Sequence, residues 1–234
     1  MLRLLMLRHA QSTWNAQGRW QGHADPPLSA EGKQTAKAVA SQYLDISRII
    51  SSPLLRAKET AEIIAASNNL GTIATHPGLA ERDLGEWEGL TRNEVEEGWP
   101  EYLQEHKWPE SAETTEAFQK RVLAAISGIA ERIEAERIEA EKIETERIEA
   151  EKIKAEKIEV NMQDLPGEAL IVAHAGVIIT LEQSLGEAWR KIGNLCGRAV
   201  ILNSGEMTLG EKLDFESETP AGLTAELAAE LTAK

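Results

Sequence analysis

The 234-residue sequence has one cysteine and no long apolar run, and each of these scarcities excludes a class of protein. Cys196 cannot form an internal disulfide, and no His/Cys cluster accompanies it as a structural zinc site would require. The longest apolar stretch, 169–181, contains His174 and is too short to span a bilayer. Arg3 and Arg8 interrupt the apolar N-terminal residues, unlike a signal peptide. We therefore expect a cytoplasmic protein.

The charge is strongly negative overall but not in the N-terminal third. The formal net charge is −14, which argues against general binding to nucleic acid or to an anionic membrane. Residues 1–56, however, carry seven Lys and Arg residues against three Asp and Glu residues. We therefore expect a small anion to bind near this third of the chain.

Short apolar runs that alternate with helical patterns predict an α/β fold. The runs predicted as strands are 2–7, 48–51, 72–75, 169–173 and 198–202. Helices are predicted from the Ser29 cap to about residue 44, after Pro53, and after Thr91, which can form a capping box with Glu94. This alternation favours three layers, with a mainly parallel central sheet flanked by helices.

The long helical pattern that starts near Phe118 changes its period in the middle. As far as Ile133 the apolar positions recur every three or four residues, which predicts a helix packed on the sheet. From Ile133 to Ile158 the isoleucines recur every five residues. Each is then turned by about 140° from the last, so no continuous apolar face forms. The Ala, Glu, Lys and Arg content still favours helix.

The chain is therefore expected to form a single domain, residues 1–215, interrupted by a charged helical arm. The arm is 134–160, and it is predicted to lie in solvent and to return through a loop at 161–168. Residues 216–234 are acidic and rich in alanine, and we expect a mobile tail there.

Ionisable side chains lie at or just beyond the ends of several predicted strands. The segments that carry them are MLRHAQSTWN (6–15), SSPLLRAKETAEII (51–64), LAERDLGEWEGL (79–90) and ALIVAHAGVI (169–178). Ligands of open α/β sheets bind beyond the carboxyl ends of the strands. We therefore expect one crevice to hold the ionisable residues of these segments, Arg8, His9, Arg56, Glu81 and His174.

Two arginines, two histidines and one carboxylate suit a phosphoryl dianion. Guanidinium groups hold phosphate oxygens through two N–H groups at once and stay charged at any working pH. An imidazole nitrogen can attack phosphorus, while a carboxyl group gives a proton to the leaving oxygen and later takes one from water. The set therefore predicts phosphoryl transfer through histidine.

Together these segments closely resemble the histidine phosphatase superfamily, also called phosphoglycerate mutase-like, whose first strand ends in Arg-His-Gly or Arg-His-Ala. The resemblance runs toward its phosphatase branch, which includes the small bacterial α-ribazole phosphatases. It implies a phosphoglycerate mutase-like fold and phosphomonoester hydrolysis through a phosphohistidine. It also implies a small phosphorylated metabolite as partner, no cofactor and no metal ligand.

The resemblance also implies a role for individual residues. His9 would be the nucleophile, Glu81 the general acid/base, and His174 a hydrogen-bond donor to the phosphoryl group. The implied phosphate-binding residues are Arg8, Asn15, Arg56, Ser12 and Gln21.

Three alternatives stay open at the level of sequence. Glu86 or Glu88 could serve in place of Glu81. The chain could be a mutase that returns the phosphate to a sugar acid, although the segment 91–110 carries one arginine where cofactor-dependent mutases have a pair. It could also be an inactive scaffold whose helical arm binds a partner. Neither the substrate nor the oligomeric state follows from the sequence.

Overall fold

The computed structural model describes residues 2–43, 46–105, 107–152, 168–203 and 205–214. The strands are β1 (Leu2–Arg8), β2 (Ile46–Ser51), β3 (Ala74–Thr75), β4 (Glu168–Ala173), β5 (Gly197–Asn203) and β6 (Glu206–Leu213). The α-helices are α1 (Thr13–Ala16), α2 (Ala30–Val39), α3 (Leu55–Ser67), α4 (Arg92–Gly98), α5 (Thr115–Lys152) and α6 (Ala175–Ser184). Short 3₁₀ turns cover Ala40–Tyr43, Pro77–Leu79 and Gly85–Trp87.

The six strands form one sheet in the order β3-β2-β4-β1-β5-β6. The pairs among β1 to β4 are parallel, while β5 runs antiparallel to both β1 and β6. The predicted α/β class with a mainly parallel sheet is therefore confirmed. The strand β6 was not predicted, and β3 is shorter than the predicted 72–75.

Helices cover both faces of the sheet, and each face has its own apolar core. On one face α5 and α6 contribute residues such as Val122, Ile126 and Ile178. On the other face α2 and α3 contribute residues such as Val39 and Ile64. Because β1 is central and covered on both faces, it is apolar almost throughout, as its sequence predicts. The carboxyl ends of β1, β2 and β4 consequently meet at one edge of the sheet.

The helix α5 continues well beyond its packed stripe. The side chain of Ile133 is 2% exposed, whereas Ile138 and Ile143 are 56% and 57% exposed. Arg137 forms ion pairs along the helix with Glu134 and Glu141, at 2.7 and 3.0 Å. The helix that was predicted to continue beyond Ile133 is therefore present as far as Lys152, where α5 ends.

Several predicted features lie outside the described residues. They are the end of the arm (153–160), most of the return loop (161–167) and the tail (216–234). The division of the chain into a domain, an arm and a tail therefore stays a prediction. Within the described ranges, no helix is both long and apolar enough to cross a membrane.

Candidate active site

A pocket of about 760 Å³ opens at the edge where the parallel strands end. Six of the residues predicted to act at the site line it: Arg8, His9, Asn15, Gln21, Arg56 and Glu81. Arg8 is the last residue of β1, His9 follows it, and Arg56 lies in the first turn of α3. The remaining two, His174 and Ser12, are buried beside the pocket.

One ring nitrogen of His9 forms a hydrogen bond with the protein backbone. Its Nδ1 lies 2.7 Å from the carbonyl oxygen of Ala10. A carbonyl oxygen only accepts, so Nδ1 carries the proton and Nε2 carries the lone pair. Burial, with the positive charges of Arg8 and Arg56, lowers the pKa of His9 well below its ordinary value. The ring is therefore neutral at pH 7, as a nucleophile must be.

His174 lies against His9, with ring centroids 5.2 Å apart, and it occupies the N-cap position of α6 without a capping hydrogen bond from its side chain. Its Nε2 is 2.8 Å from the hydroxyl oxygen of Ser52, which is also fully buried. Its Nδ1 is buried and has no hydrogen-bond partner among the described residues. Burial lowers the pKa of His174 well below its ordinary value, and the charge of Arg56 adds to this effect. When Ser52 donates to Nε2, the neutral ring carries its proton on Nδ1.

Arg56 is the most deeply buried cation at the site, being 1% exposed. Its Nη1 donates to the carbonyl oxygen of Ala24 and its Nη2 to that of Gly22, both at 2.8 Å. Its Nε is buried without a hydrogen-bond partner in the described part of the chain. Burial lowers the pKa of Arg56 to about 10, which still leaves it protonated at pH 7. A buried cation whose near contacts are carbonyl oxygens is suited to an anionic ligand.

Arg8 and Glu81 each form hydrogen bonds with backbone groups that are distant in sequence. Nη1 of Arg8 donates to the carbonyl oxygen of Ile192 at 2.6 Å. The Glu81 carboxylate accepts from the N–H of Arg82 at 2.9 Å and of Gly176 at 3.1 Å. A Cβ on Gly176 would stand 2.2 Å from Glu81 Oε1, so only glycine allows this approach. The first turn of α6 thus holds the Glu81 carboxylate through the N–H of Gly176.

The polar residues of the α1 turn differ in their position. The hydroxyl of Ser12 accepts from the N–H of Asn15 and donates to Gln21 Oε1, at 3.0 and 2.6 Å. Ser12 is fully buried and is not part of the pocket wall, so it holds Asn15 and Gln21 in place. Its direct contact with phosphate stays a prediction. Asn194, which was not predicted, donates to the His9 carbonyl at 2.9 Å and to Asn15 Oδ1 at 3.3 Å.

The outer wall of the pocket is aromatic and basic. Trp20, Trp108 and Trp189 line it, and the guanidinium of Arg82 lies 4.6 Å from the Trp108 ring. Including these outer positions, the cations of the wall are Arg8, Arg19, Arg56, Arg82 and Lys191. They face one lining carboxylate, that of Glu81. The pocket is thus cationic in a chain whose net charge is −14.

The chemistry of the pocket can be described from its side chains. None of them forms a group of three or more His, Cys, Asp or Glu side chains placed to hold a metal ion. What the pocket offers is a neutral imidazole with a free lone pair, flanked by guanidinium groups and a carboxylate. This arrangement can bind a phosphoryl group, attack it and exchange protons with its leaving oxygen.

Comparisons with known proteins found matches to this chain in both sequence and structure. The model of the histidine phosphatase superfamily (branch 1) matches residues 4–140, more than half of the chain. Phosphoserine phosphatase 1 of Hydrogenobacter thermophilus is 39% identical over 130 residues, 54% of this chain and 59% of that protein. A candidate phosphoglycerate mutase of Salmonella arizonae is 38% identical over 140 residues, 56% of this chain and 64% of that protein. The chain thus spans about three fifths of the length of these curated relatives.

Solved structures share the fold over nearly the whole chain. A candidate alpha-ribazole-5′-P phosphatase from Escherichia coli superimposes with a TM-score of 0.68 at 21% sequence identity. The superposition covers 92% of this chain and 98% of that one. The superposition shows that the two chains share a fold, which is the phosphoglycerate mutase-like fold that the motifs predict.

Proposed function

The chain belongs to the histidine phosphatase superfamily, and from this premise we propose that it hydrolyses phosphomonoesters without a metal ion, through a phosphohistidine on His9. The observation that carries the proposal is the state of His9. Its Nδ1 is tied to the Ala10 carbonyl, its lowered pKa keeps the ring neutral, and it lines a cationic pocket. The names of the relatives support a phosphatase but do not identify the substrate.

In the first half-reaction the phosphoryl group moves to the enzyme. Arg8 and Arg56 bind the phosphoryl oxygens, and Asn15 and Gln21 add polar contacts. The lone pair of His9 Nε2 attacks phosphorus, forming a P–N bond as the P–O bond to the leaving group breaks. Glu81, protonated at this stage, gives its proton to the departing oxygen.

In the second half-reaction water releases the phosphate. Glu81, now a carboxylate, takes a proton from a water molecule whose oxygen attacks phosphorus. The P–N bond breaks, its electron pair returns to Nε2, and inorganic phosphate leaves. His174 donates from Nδ1 to a phosphoryl oxygen in both steps, where charge on the transferring group is greatest.

The substrate that fits this site is a small phosphorylated metabolite. A pocket of about 760 Å³ has the size of a small-molecule site. The excess of negative charge over the whole chain disfavours nucleic acid and anionic membrane as partners. We also propose a cytoplasmic location, because a single cysteine suits a reducing compartment.

Release of phosphate from p-nitrophenyl phosphate in the presence of EDTA tests the reaction. The wild type is expected to turn over, whereas His9→Ala should lose about 10³-fold or more in kcat, since no nucleophile remains. His76→Asn is a matched control, because His76 caps the Pro77–Leu79 turn and asparagine is also a good cap. Equal rates for His9→Ala and the wild type would refute the mechanism.

The mutase remains the second candidate, because one relative is a candidate phosphoglycerate mutase. Interconversion of 3- and 2-phosphoglycerate that outruns the release of inorganic phosphate would favour it. An inactive scaffold would show neither reaction in either form of the protein.

A further inference from the structure

Glu88 lies in the same segment as Glu81, but its carboxylate is used differently. Oε1 accepts from the N–H of His23 at 2.6 Å and of Leu84 at 3.3 Å. Oε2 accepts from the N–H of Ala24 at 2.9 Å. Glu88 does not line the pocket. Glu81 lines the pocket and Glu88 does not, so we assign the proton donor to Glu81 and look for another role for Glu88.

The backbone that Glu88 holds is the backbone that holds Arg56. The N–H of His23 and the carbonyl of Gly22 belong to one peptide group, which bonds Glu88 on one side and Arg56 Nη2 on the other. The carbonyl of Ala24 accepts from Arg56 Nη1. The segment 22–24 therefore connects the carboxylate to the guanidinium group.

The backbone conformation at Gly22 makes this connection possible. Its φ is +54°, a region that side chains other than glycine rarely adopt. A Cβ there would lie 2.2 Å from Glu88 Oε1 and 2.9 Å from the N–H nitrogen of Leu84. Glycine at this position thus permits the close contact between the segment and Glu88.

We propose that Glu88 is a positioning residue that fixes Arg56 for phosphate binding. The proposal rests on the proposed function, in which Arg56 binds the phosphoryl group. With the 22–24 carbonyls fixed, two of the five guanidinium N–H groups are committed, and the plane of the other three is set. The carboxylate charge also polarises the Gly22–His23 peptide group, which strengthens its carbonyl as an acceptor for Arg56.

The binding of inorganic phosphate measures this role separately from turnover. The inhibition constant of phosphate against p-nitrophenyl phosphate is measured for Glu88→Gln, Glu86→Gln and Glu81→Gln. Glu88→Gln should weaken phosphate binding about tenfold, because its amide cannot accept all three N–H groups. Glu86→Gln is the matched control, since Glu86 is exposed in the same segment, and it should stay within about twofold.

The Glu81→Gln variant distinguishes the role of the Glu81 carboxylate from that of Glu88. Glu81→Gln should lower kcat while phosphate still binds, because Glu81 acts on the leaving group and on water. If instead Glu88→Gln abolishes turnover with unchanged phosphate binding, Glu88 is the proton donor and the positioning role is wrong. Loss of the positioning role leaves the His9→Ala result untouched, so the two proposals fail independently.

A double-mutant cycle shows whether Glu88 acts through Arg56. In an Arg56→Lys background, Glu88→Gln should weaken phosphate binding by less than about twofold more, because the geometry it supports is already lost. A full, independent tenfold effect in that background would overturn the proposal.

Circular dichroism establishes that each variant is folded. If Glu88→Gln does not fold, Glu88→Asp replaces it, because it keeps the charge but shortens the reach and should still weaken binding. Unchanged binding in a folded Glu88→Asp would count against the proposal.

Discussion

Arg56 and Arg137 are the same side chain in two settings. Arg137 lies on the extension of α5 and pairs with two glutamates of its own helix, in contact with water. Arg56 is buried, and carbonyl oxygens are its direct partners. Surface pairs such as those of Arg137 contribute little to stability, whereas a desolvated guanidinium without a paired carboxylate attracts an anion strongly. The function of an arginine in this chain is thus decided by burial and not by residue type.

For this pair of arginines, the largest effect is expected from the conservative replacement of the buried one. Arg56→Lys keeps the charge, but an ammonium group cannot donate to the Gly22 and Ala24 carbonyls and also hold two phosphoryl oxygens in one plane. We expect kcat/KM for p-nitrophenyl phosphate to fall about 10³-fold. The matched change Arg137→Lys should leave it within about twofold. A fall of less than about threefold for Arg56→Lys would remove the distinction between the two arginines.

The same contrast applies to two isoleucines of α5. Ile133→Ala opens a cavity in the core and should lower the free energy of unfolding by about 3 kcal/mol. Ile143→Ala, at an exposed position on the same helix, should change it by less than about 0.5 kcal/mol. Urea denaturation measures both values. Equal losses would mean that the extension of α5 is covered by another surface in solution.

The dependence of stability on pH distinguishes the site from the surface of α5, because histidines titrate at the site and glutamates on the helix. Folding lowers the pKa values of His9 and His174, so below about pH 6.5 the unfolded chain binds more protons than the folded one. Each imidazole therefore stabilises the fold above pH 6.5, and this contribution falls by about 1.4 kcal/mol per pH unit as the pH decreases toward the lowered pKa values.

Ion pairs on the surface of α5 also lose their contribution to stability as the pH falls, but they do so at lower pH. The hydrogen bond with Arg137 lowers the pKa of Glu134, so this contribution is lost only as the pH falls below the ordinary range of glutamate. Urea denaturation between pH 7 and 5.5 should therefore report the two histidines of the site and not the surface pairs of α5. His174→Gln should reduce the slope by about half. A slope unchanged by this substitution would contradict neutral burial of His174.

The smallest effect is expected from deleting Glu134 to Ile158, of which the structure describes the part up to Lys152. The described part contributes surface ion pairs, including one between Glu136 and Arg48, and no residue of the pocket wall. We expect kcat/KM to stay within about twofold of the wild type. A large loss of activity would show that the two regions are not independent.

The residues that the sequence identified share a local signal. Arg8, His9 and His174 end or directly follow buried apolar runs, so the direction of the strands alone brings them to one edge of the sheet. The long helix was also predictable, because composition and period agree there as far as Ile133. Such features depend on near neighbours in the chain, which a sequence displays directly.

The features that were missed depend on distant or weak signals. Asn194 and Ser52 act by holding backbone or ring atoms far along the chain, and nothing in their local sequence shows this. The strand β6 is an edge strand that lies mostly on the surface, so it lacks an apolar run. Its hairpin partner β5 lies antiparallel to β1, and strand direction cannot be read from the residues of a strand alone.

The order of strands also has a consequence for how this protein is made. Because β1 lies between β4 and β5, it cannot pair until these two strands have been synthesised, and their residues lie more than 160 positions later in the chain. Pairing over such separations slows folding and lengthens exposure of apolar surface. On the ribosome β1 therefore stays without its neighbours in the sheet until β4 and β5 have emerged, and its apolar side chains are exposed for that time.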